Sequence, residues 1–323
     1  MPKALWTAAI GLSPRVSRLR DQFFSFYKRD YTNEVRSYTT ETPWDVVYAI
    51  WNWTNVPEMT MFLQGARSYL RAAAKPVELP EGFWNEPLVV RQALFFREVL
   101  RRHLPVQILD GELIVGSHFS TALSRCLKQD EARARDREEQ AFLKEYQLLN
   151  SLGVGNCGAV PGHLVPDYPK VLHVGWKGIR DDAQAVLAKP GITAEQRDLA
   201  RAITICADAV HALMERYAVE AERQVTAETD PARRTELREI ARVCHKVPWL
   251  PAETFPEALQ SLWTMHMLAM VAESYPGPGL SPGRIDQYLY PYYKRDLDAG
   301  HLTRDQAKEW LQCLWIKHNY AYD

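Results

Sequence analysis

The chain lacks the cysteine patterns that mark metal-binding or disulfide-stabilised proteins. Its 323 residues include five cysteines, and no two of them form a CxxC pair. An odd number at wide spacing argues against a disulfide framework and against a zinc or iron–sulfur site. We therefore expect reduced, mostly buried thiols and no metal bound by this chain. The five are Cys126, Cys157, Cys206, Cys244 and Cys313.

The chain also lacks a long hydrophobic run and an excess of charge. Its longest apolar stretch, 258–272, contains Gln260, Ser261 and His266, so it is too short and too polar to cross a bilayer. The N-terminus has neither the apolar core nor the small-residue cleavage site of a signal peptide. The net charge of −1 gives no support to nucleic-acid or membrane binding. We expect a cytoplasmic protein that binds neither nucleic acid nor membranes.

Helical patterns dominate what is present, and they predict a mainly α fold with a few strands. Three capping boxes, each a Thr followed three residues later by Gln or Glu, predict helix starts at Thr193, Thr254 and Thr303. The spacing also predicts helices over 59–74 and 87–103. A long helix should run from 193 to about 225, and a second from 231 to about 244. The strongest strand candidate is 112–116, which follows an Asp-Gly turn.

The charged segment 131–149 predicts an amphipathic helix. We expect its buried side to carry Ala134, Phe142, Leu143 and Tyr146. The apolar stripe of the helix after Thr254 includes His266, which we interpret as a core histidine with a partner inside the fold.

The most informative segment is 273–293, ESYPGPGLSPGRIDQYLYPYY. Its composition predicts a Gly/Pro loop that leads into a helix, with Ser281 as the N-cap of that helix. Its residue order resembles an active-site segment of glycyl radical enzymes, the pyruvate formate-lyase-like family. Segments 162–172 (GHLVPDYPKVL), 110–116 (DGELIVG) and 241–263 resemble three further family motifs, so the resemblance covers roughly 110–320.

The resemblance implies the N-terminal part of a ten-stranded α/β barrel that is incomplete here. Residues 1–109 would form a helical N-terminal region, and 110–323 the start of the barrel with its surrounding helices. Such enzymes store a radical on a backbone glycine and use a cysteine followed two residues later by a glutamate. This sequence has no Cys-x-Glu and no matching glycine loop. We expect all three groups beyond Asp323, with the C-terminal glycine-radical domain absent.

The resemblance also implies partners and a chain that is inactive alone. A separate radical-SAM activating enzyme would install the glycyl radical, and family members are usually homodimers. The last helix carries Trp310, Leu314 and Trp315 and then stops without a glycine signal. We interpret the chain as truncated, and its true start stays open.

Arg125 and Gln129 are the candidate substrate-binding pair. They lie four residues apart, so on a helix they would share a face. A guanidinium fork beside a carboxamide suits a tetrahedral oxyanion such as a sulfonate. Within the family, this pair resembles the sulfonate site of members that cleave isethionate. The alternative is a surface arginine beside a solvated glutamine. Trp310 either lines the pocket or is an ordinary packing aromatic.

The residues at 278 and 279 narrow the substrate class. The family's His-Ser pair is replaced here by Pro278 and Gly279, whose side chains form no hydrogen bonds. A vicinal diol would leave a hydroxyl unpaired, at a cost of about 1–3 kcal/mol. We therefore expect a carbon–sulfur lyase that converts isethionate to acetaldehyde and sulfite. The alternatives are a choline trimethylamine-lyase, a diol dehydratase or an inactive helical scaffold.

Overall fold

A computed structural model describes residues 11–26, 58–61, 75–104, 106–116, 119–121, 126–153, 164–272 and 280–319. Across these ranges the chain is mainly helical, which confirms that part of the predicted fold class. A 3₁₀ turn covers Phe83–Asn85, and a π-helical turn over Val99–His103 extends α2. The α-helices are α1 Pro14–Phe26, α2 Leu88–Glu98, α3 Gln129–Ser151, α4 Tyr168–Leu187, α5 Ala194–Ala227, α6 Pro231–Lys246, α7 Phe255–Ala272, α8 Ile285–Tyr288, α9 Tyr290–Asp298 and α10 Arg304–Asn319.

Three short strands form a small antiparallel sheet in the order β2-β1-β3. They are β1 Glu58–Met61, β2 Lys75–Pro76 and β3 Phe119–Thr121. In this sheet Met59 pairs with Lys75 on one side and with Thr121 on the other. The helix predicted over 59–74 is therefore wrong at its start, where β1 lies. The rest of that range lies outside the described residues.

Helix α5 is the centre of the packing, and its start follows the predicted capping box. The Thr193 Oγ1 accepts from the Gln196 N–H at 3.1 Å, and the Gln196 Oε1 accepts from the Thr193 N–H at 3.0 Å. One face of α5 is buried from Ala200 to Ala221, and the helix packs against α2, α4 and α6. Burial of this apolar face supplies the main stabilisation of the helix. The buried residues include Val210, Leu213, Met214, Tyr217 and Ala221.

Helix α7 is the second core element, and it packs against α4 and α10. Both halves of its predicted capping box are formed, since the Glu257 N–H donates to Thr254 Oγ1 and the Thr254 N–H donates to the Glu257 carboxylate. The buried Asp296 on α9 accepts from the Phe255 N–H at 2.7 Å. The Thr303 capping box of α10 is also formed. All three predicted boxes are confirmed.

Gly175 breaks α4 into two pieces and lets another segment approach its backbone. Its φ of 65° and ψ of 173° are outside the range of side-chain-bearing residues. The Trp176 and Lys177 N–H groups donate to the Pro248 and Trp249 carbonyls at 2.8 and 2.9 Å. A Cβ at Gly175 would lie 2.3 Å from the Trp249 carbonyl oxygen. Glycine is thus required by both the dihedral angles and the contact.

The strand predicted at 112–116 is wrong, because this segment is buried, bends at Leu113 and Ile114, and has no strand neighbour in the described residues. Side chains bind its backbone instead. Gln260 on α7 accepts from the Val115 N–H at 2.8 Å and donates to the Val115 carbonyl at 3.0 Å. The Gly116 carbonyl accepts from Lys317 at 2.7 Å, and the Glu112 carbonyl from Arg233 at 2.8 Å.

The side predicted to be buried on the charged helix 131–149 is only partly covered, since Ala134, Leu143 and Tyr146 are half-buried and Phe142 is exposed. In α3, none of the side chains that the structure describes is buried, and Phe142 is 64% exposed. Phe142 stacks on Tyr146 of the same helix, with ring centroids 6.3 Å apart.

Across the described ranges, no helix has the length and apolar content needed to cross a membrane.

Candidate functional site

Two of the segments that suggested the family lie side by side. Leu164 and Leu280 form a parallel backbone bridge, and the Ser281 N–H donates to the Leu164 carbonyl at 2.9 Å. Leu164 belongs to the segment 162–172 and Leu280 to the segment 273–293. The structure therefore brings together the described portions of these two segments. Residues 154–163 and 273–279, including His163, Pro278 and Gly279, lie outside the described residues.

The segment after Leu164 places a tyrosine at the first position of α4. Asp167 caps α4 by accepting from the Lys170 N–H at 3.1 Å, and Tyr168 is then fully buried. Its ring stacks on Tyr288 of α8, with centroids 6.3 Å apart. Ser281 does not cap α8, since its hydroxyl accepts from the Gly283 N–H and the N-cap residue of α8 is Arg284. The helix cap predicted at Ser281 is therefore wrong.

A histidine pair lies behind this tyrosine. The Tyr168 hydroxyl and the His266 Nδ1 are hydrogen-bonded at 2.8 Å. The ring of His266 lies 4.5 Å, centroid to centroid, from that of His318 on α10. Burial, with His318 as a further cause, lowers the pKa of His266 to about 3, and burial lowers the pKa of His318 as well. Both imidazoles are thus neutral at physiological pH, and His266 is the bonded core histidine that its apolar stripe predicts.

The third motif, 110–116, reaches the same cluster from the other side. Trp263 of α7 lies between the histidines and this segment, with its ring centroid 5.4 Å from that of His318. Gly116 has φ 109°, and a Cβ there would lie 2.9 Å from Trp263 Nε1. Glu112 and Lys317 form a buried ion pair beside it. The three motif segments therefore surround one wall built from α7 and α10.

This wall is aromatic and uncharged apart from the Glu112–Lys317 pair. Burial raises the pKa of Tyr168, so its phenol stays protonated. Such a surface can exclude water and orient a substrate, but it holds no group poised to gain or lose a proton near neutral pH. The part of the chain that the structure describes has no cluster of three or more His, Cys, Asp or Glu side chains arranged for a metal.

The described cysteines are inert thiols. Burial raises the pKa of Cys126 and Cys313 to about 12 and that of Cys206 to about 11. Cys244 shifts in the same direction for the same reason. A thiol with so high a pKa is not a thiolate nucleophile. This agrees with the interpretation of these residues as structural, while Cys157 lies outside the described residues.

The structure describes two of the three residues predicted for substrate binding. Gln129 is the first residue of α3, and it is exposed. Trp310 on α10 is partly buried and packs against the main core and against a small cluster formed by Val16, Leu19, Leu113 and Cys313. Arg125 lies outside the described residues. The three-residue site therefore stays a prediction.

Sequence reasoning missed the polar residues that hold the motif segments in place. Gln260 and Lys317 bind the 112–116 backbone, and Arg91 binds the segment before α3 through the Cys126 carbonyl at 2.9 Å. A glutamine inside the apolar run 258–272 was a usable signal, because a buried amide requires partners. No comparable signal marks Arg91, since its partners Cys126 and Glu131 are 35 and 40 residues away along the chain.

The family model described as "Pyruvate formate lyase-like" matches residues 136–322, which is more than half of the chain. The chain belongs to the pyruvate formate lyase-like family. Isethionate sulfite-lyase of Oleidesulfovibrio alaskensis is 38% identical over 157 residues, which are 47% of this chain and 19% of that protein. The chain therefore spans about a fifth of the length of this relative, 19% of its residues.

Solved structures, one of them of a glycyl radical enzyme, have a similar fold. A glycyl radical enzyme from Archaeoglobus fulgidus superposes with a TM-score of 0.60 at 28% identity, over 79% of this chain and 40% of that one. A structure on 1,2-propanediol dehydration in Roseburia inulinivorans gives a TM-score of 0.60 at 26% identity, over 95% of this chain and 37% of that one. The mainly helical architecture is therefore that of part of a glycyl radical enzyme.

Proposed function

We propose a function for a protein that carries these 323 residues and has the full length of its relatives. Such a protein is a glycyl radical carbon–sulfur lyase that acts on isethionate. The observation that carries the proposal is the 38% identity to an isethionate sulfite-lyase over 157 residues. The reaction would convert 2-hydroxyethanesulfonate to acetaldehyde and hydrogen sulfite, which balances in atoms and charge. In this proposal the protein is cytoplasmic and a homodimer.

The residues of this chain would contribute substrate binding rather than radical chemistry. No cysteine of the sequence lies in a Cys-x-Glu motif, and the four described cysteines are buried or partly buried thiols. The glycyl radical, installed by a radical-SAM activating enzyme, would supply the radical chemistry, in which a cysteine thiyl would abstract hydrogen from the hydroxyl-bearing carbon. Arg125 and Gln129 would hold the sulfonate by charge-assisted hydrogen bonds. They would also stabilise the negative charge of the departing sulfite.

In this proposal the α7–α10 wall lies behind a small substrate with a single hydroxyl. Tyr168 and His266 are buried and bonded to each other, and both histidines are neutral, so these groups add no charge that competes with the sulfonate. Pro278 and Gly279 bring no side-chain donor or acceptor from the neighbouring loop. Trp310 would help to exclude water from the site. The boundary proposed at 109/110 separates the N-terminal helical region from the part that carries these motifs.

A diol dehydratase is the second candidate, because the Roseburia inulinivorans structure on 1,2-propanediol dehydration covers 95% of this chain. The substrate test separates the two functions. The full-length protein is activated anaerobically and supplied in turn with isethionate, 1,2-propanediol and choline. Sulfite release from isethionate is expected. Turnover of the diol or choline without sulfite release would reject the proposal.

A further inference from the structure

Arg91 is a buried arginine of α2 whose guanidinium binds three separate parts of the chain. It is 1% exposed. Its Nε donates to the Cys126 carbonyl at 2.9 Å, and one terminal nitrogen donates to the Glu86 carbonyl at 2.8 Å. The other terminal nitrogen forms an ion pair with Glu131. The planar fork of arginine serves these three acceptors together, which the single ammonium of a lysine cannot do.

Glu131 connects this arginine to the start of α3. It is the third residue of the helix, and its carboxylate also accepts from the Lys128 N–H at 2.7 Å. This contact is one half of a capping box, in which the side chain of the third helical residue accepts a hydrogen bond from the N–H of the N-cap residue. The hydrogen bond from Arg91 lowers the pKa of Glu131, so the carboxylate is charged at neutral pH. Arg91 thus strengthens the contact that fixes where α3 begins.

The segment between these contacts carries Gln129. Cys126, at one end, is fully buried and its carbonyl is bound by Arg91. Glu131, at the other end, is bound by the same guanidinium. Gln129 lies between two points that one buried side chain holds. A buried charge of this kind is retained only where its partners are complete, because a buried charge without a partner is strongly destabilising.

We infer that Arg91 is a positioning residue for substrate binding. It fixes the first turn of α3 and so sets the position of Gln129, without being exposed itself. This inference rests on the proposed function, in which Gln129 binds the sulfonate. Glu131 is the intermediate in the chain of contacts, and its removal should have the same consequence as removal of the arginine fork.

The first test measures the positioning without any substrate. Hydrogen exchange is compared in the full-length protein and in its Arg91→Lys and Glu131→Ala variants. Arg201→Lys is the matched control, because Arg201 also pairs with Glu86, at 2.9 Å, but forms no hydrogen bond or ion pair with the described residues 126–131. We expect the amides of 127–132 to exchange about tenfold faster in the two test variants and at an unchanged rate in the control. Equal exchange in all four proteins would overturn the inference.

The second test asks whether Arg91 acts through Gln129. The KM for isethionate and the kcat per glycyl radical spin are measured for Arg91→Lys with and without Gln129→Ala. We expect Arg91→Lys to raise KM about tenfold with kcat nearly constant, and to change KM by less than about twofold when Gln129 is already absent. An equal increase in both backgrounds would show a general structural role and overturn the inference.

Failure of the proposed function is recognised separately. If the unaltered activated protein releases no sulfite from isethionate, the substrate role of Arg91 is refuted together with the function. The exchange measurement needs no turnover, so it still decides whether Arg91 fixes the start of α3.

Discussion

Replacement of Gln260 by leucine tests how the 112–116 segment is held. Gln260 is 2% exposed, and its amide forms both hydrogen bonds to the backbone of Val115. Leucine is similar in size but leaves a buried N–H and a buried carbonyl without partners. Each such group costs about 1–3 kcal/mol, so the free energy of unfolding should fall by about 2–6 kcal/mol. Urea unfolding followed by circular dichroism and tryptophan fluorescence measures the loss.

Gln224→Leu is the matched control for this prediction. Gln224 on α5 donates a single backbone hydrogen bond, 3.2 Å long, to the Ile108 carbonyl from a partly exposed position. Its replacement should cost less than about 1 kcal/mol, since water can substitute for the amide. Hydrogen exchange at the Val115 amide gives a local measure and should rise only in the Gln260 variant. If the two variants lose the same stability, Gln260 does not hold this segment.

Two further predictions concern stability. Gly175→Ala should destabilise the chain by at least about 2 kcal/mol, because the added Cβ would lie 2.3 Å from the Trp249 carbonyl oxygen. Gly191→Ala is the control: its Cβ would meet nothing within 4 Å, so it should cost only the strain of its positive φ. Thermal unfolding of both variants measures the two losses of stability, and equal losses would contradict the prediction. Hydrogen bonding to Glu222 and Glu215 raises the pKa of His245 above its ordinary value, so its stabilisation is complete below about pH 6.5 and is lost as pH rises through the raised pKa. His245→Gln should therefore lower the free energy of unfolding at pH 5.5, by less than about 1 kcal/mol because the site is exposed, and should have no effect at pH 9. A loss of stability in the variant that grows with pH would refute this prediction.

The helix starts could be predicted from the sequence because their signals are local. Each capping box at Thr193, Thr254 and Thr303 needs only two residues three positions apart, and all three are formed. The strand at 112–116 was wrongly predicted because a short apolar run has the same pattern in a strand and in a buried segment that pairs with no strand. What separates the two is the partner, and here the partner is the side chain of Gln260, 145 residues away from Val115.

The candidate site could be predicted only in part, for the same physical reason. The neutral state of His266 depends on burial and on His318, which the sequence places 52 residues further along the chain. The buried side predicted for α3 assumed a neighbour that would cover Phe142, yet this side chain is 64% exposed. The contacts of Arg91 with Cys126 and Glu131 depend on the packing of α2, which no local pattern encodes.

The most direct test of the central claim is the product analysis of isethionate turnover by the full-length, anaerobically activated protein and by its Arg125→Ala variant. We expect sulfite and acetaldehyde in equal amounts from the unaltered protein, and a KM for isethionate raised at least about tenfold in the variant, as befits a lost charge-assisted contact. Sulfite release with an unchanged KM in the variant would contradict the role of Arg125. No sulfite at all, with turnover of a diol or choline, would contradict the assignment as a carbon–sulfur lyase.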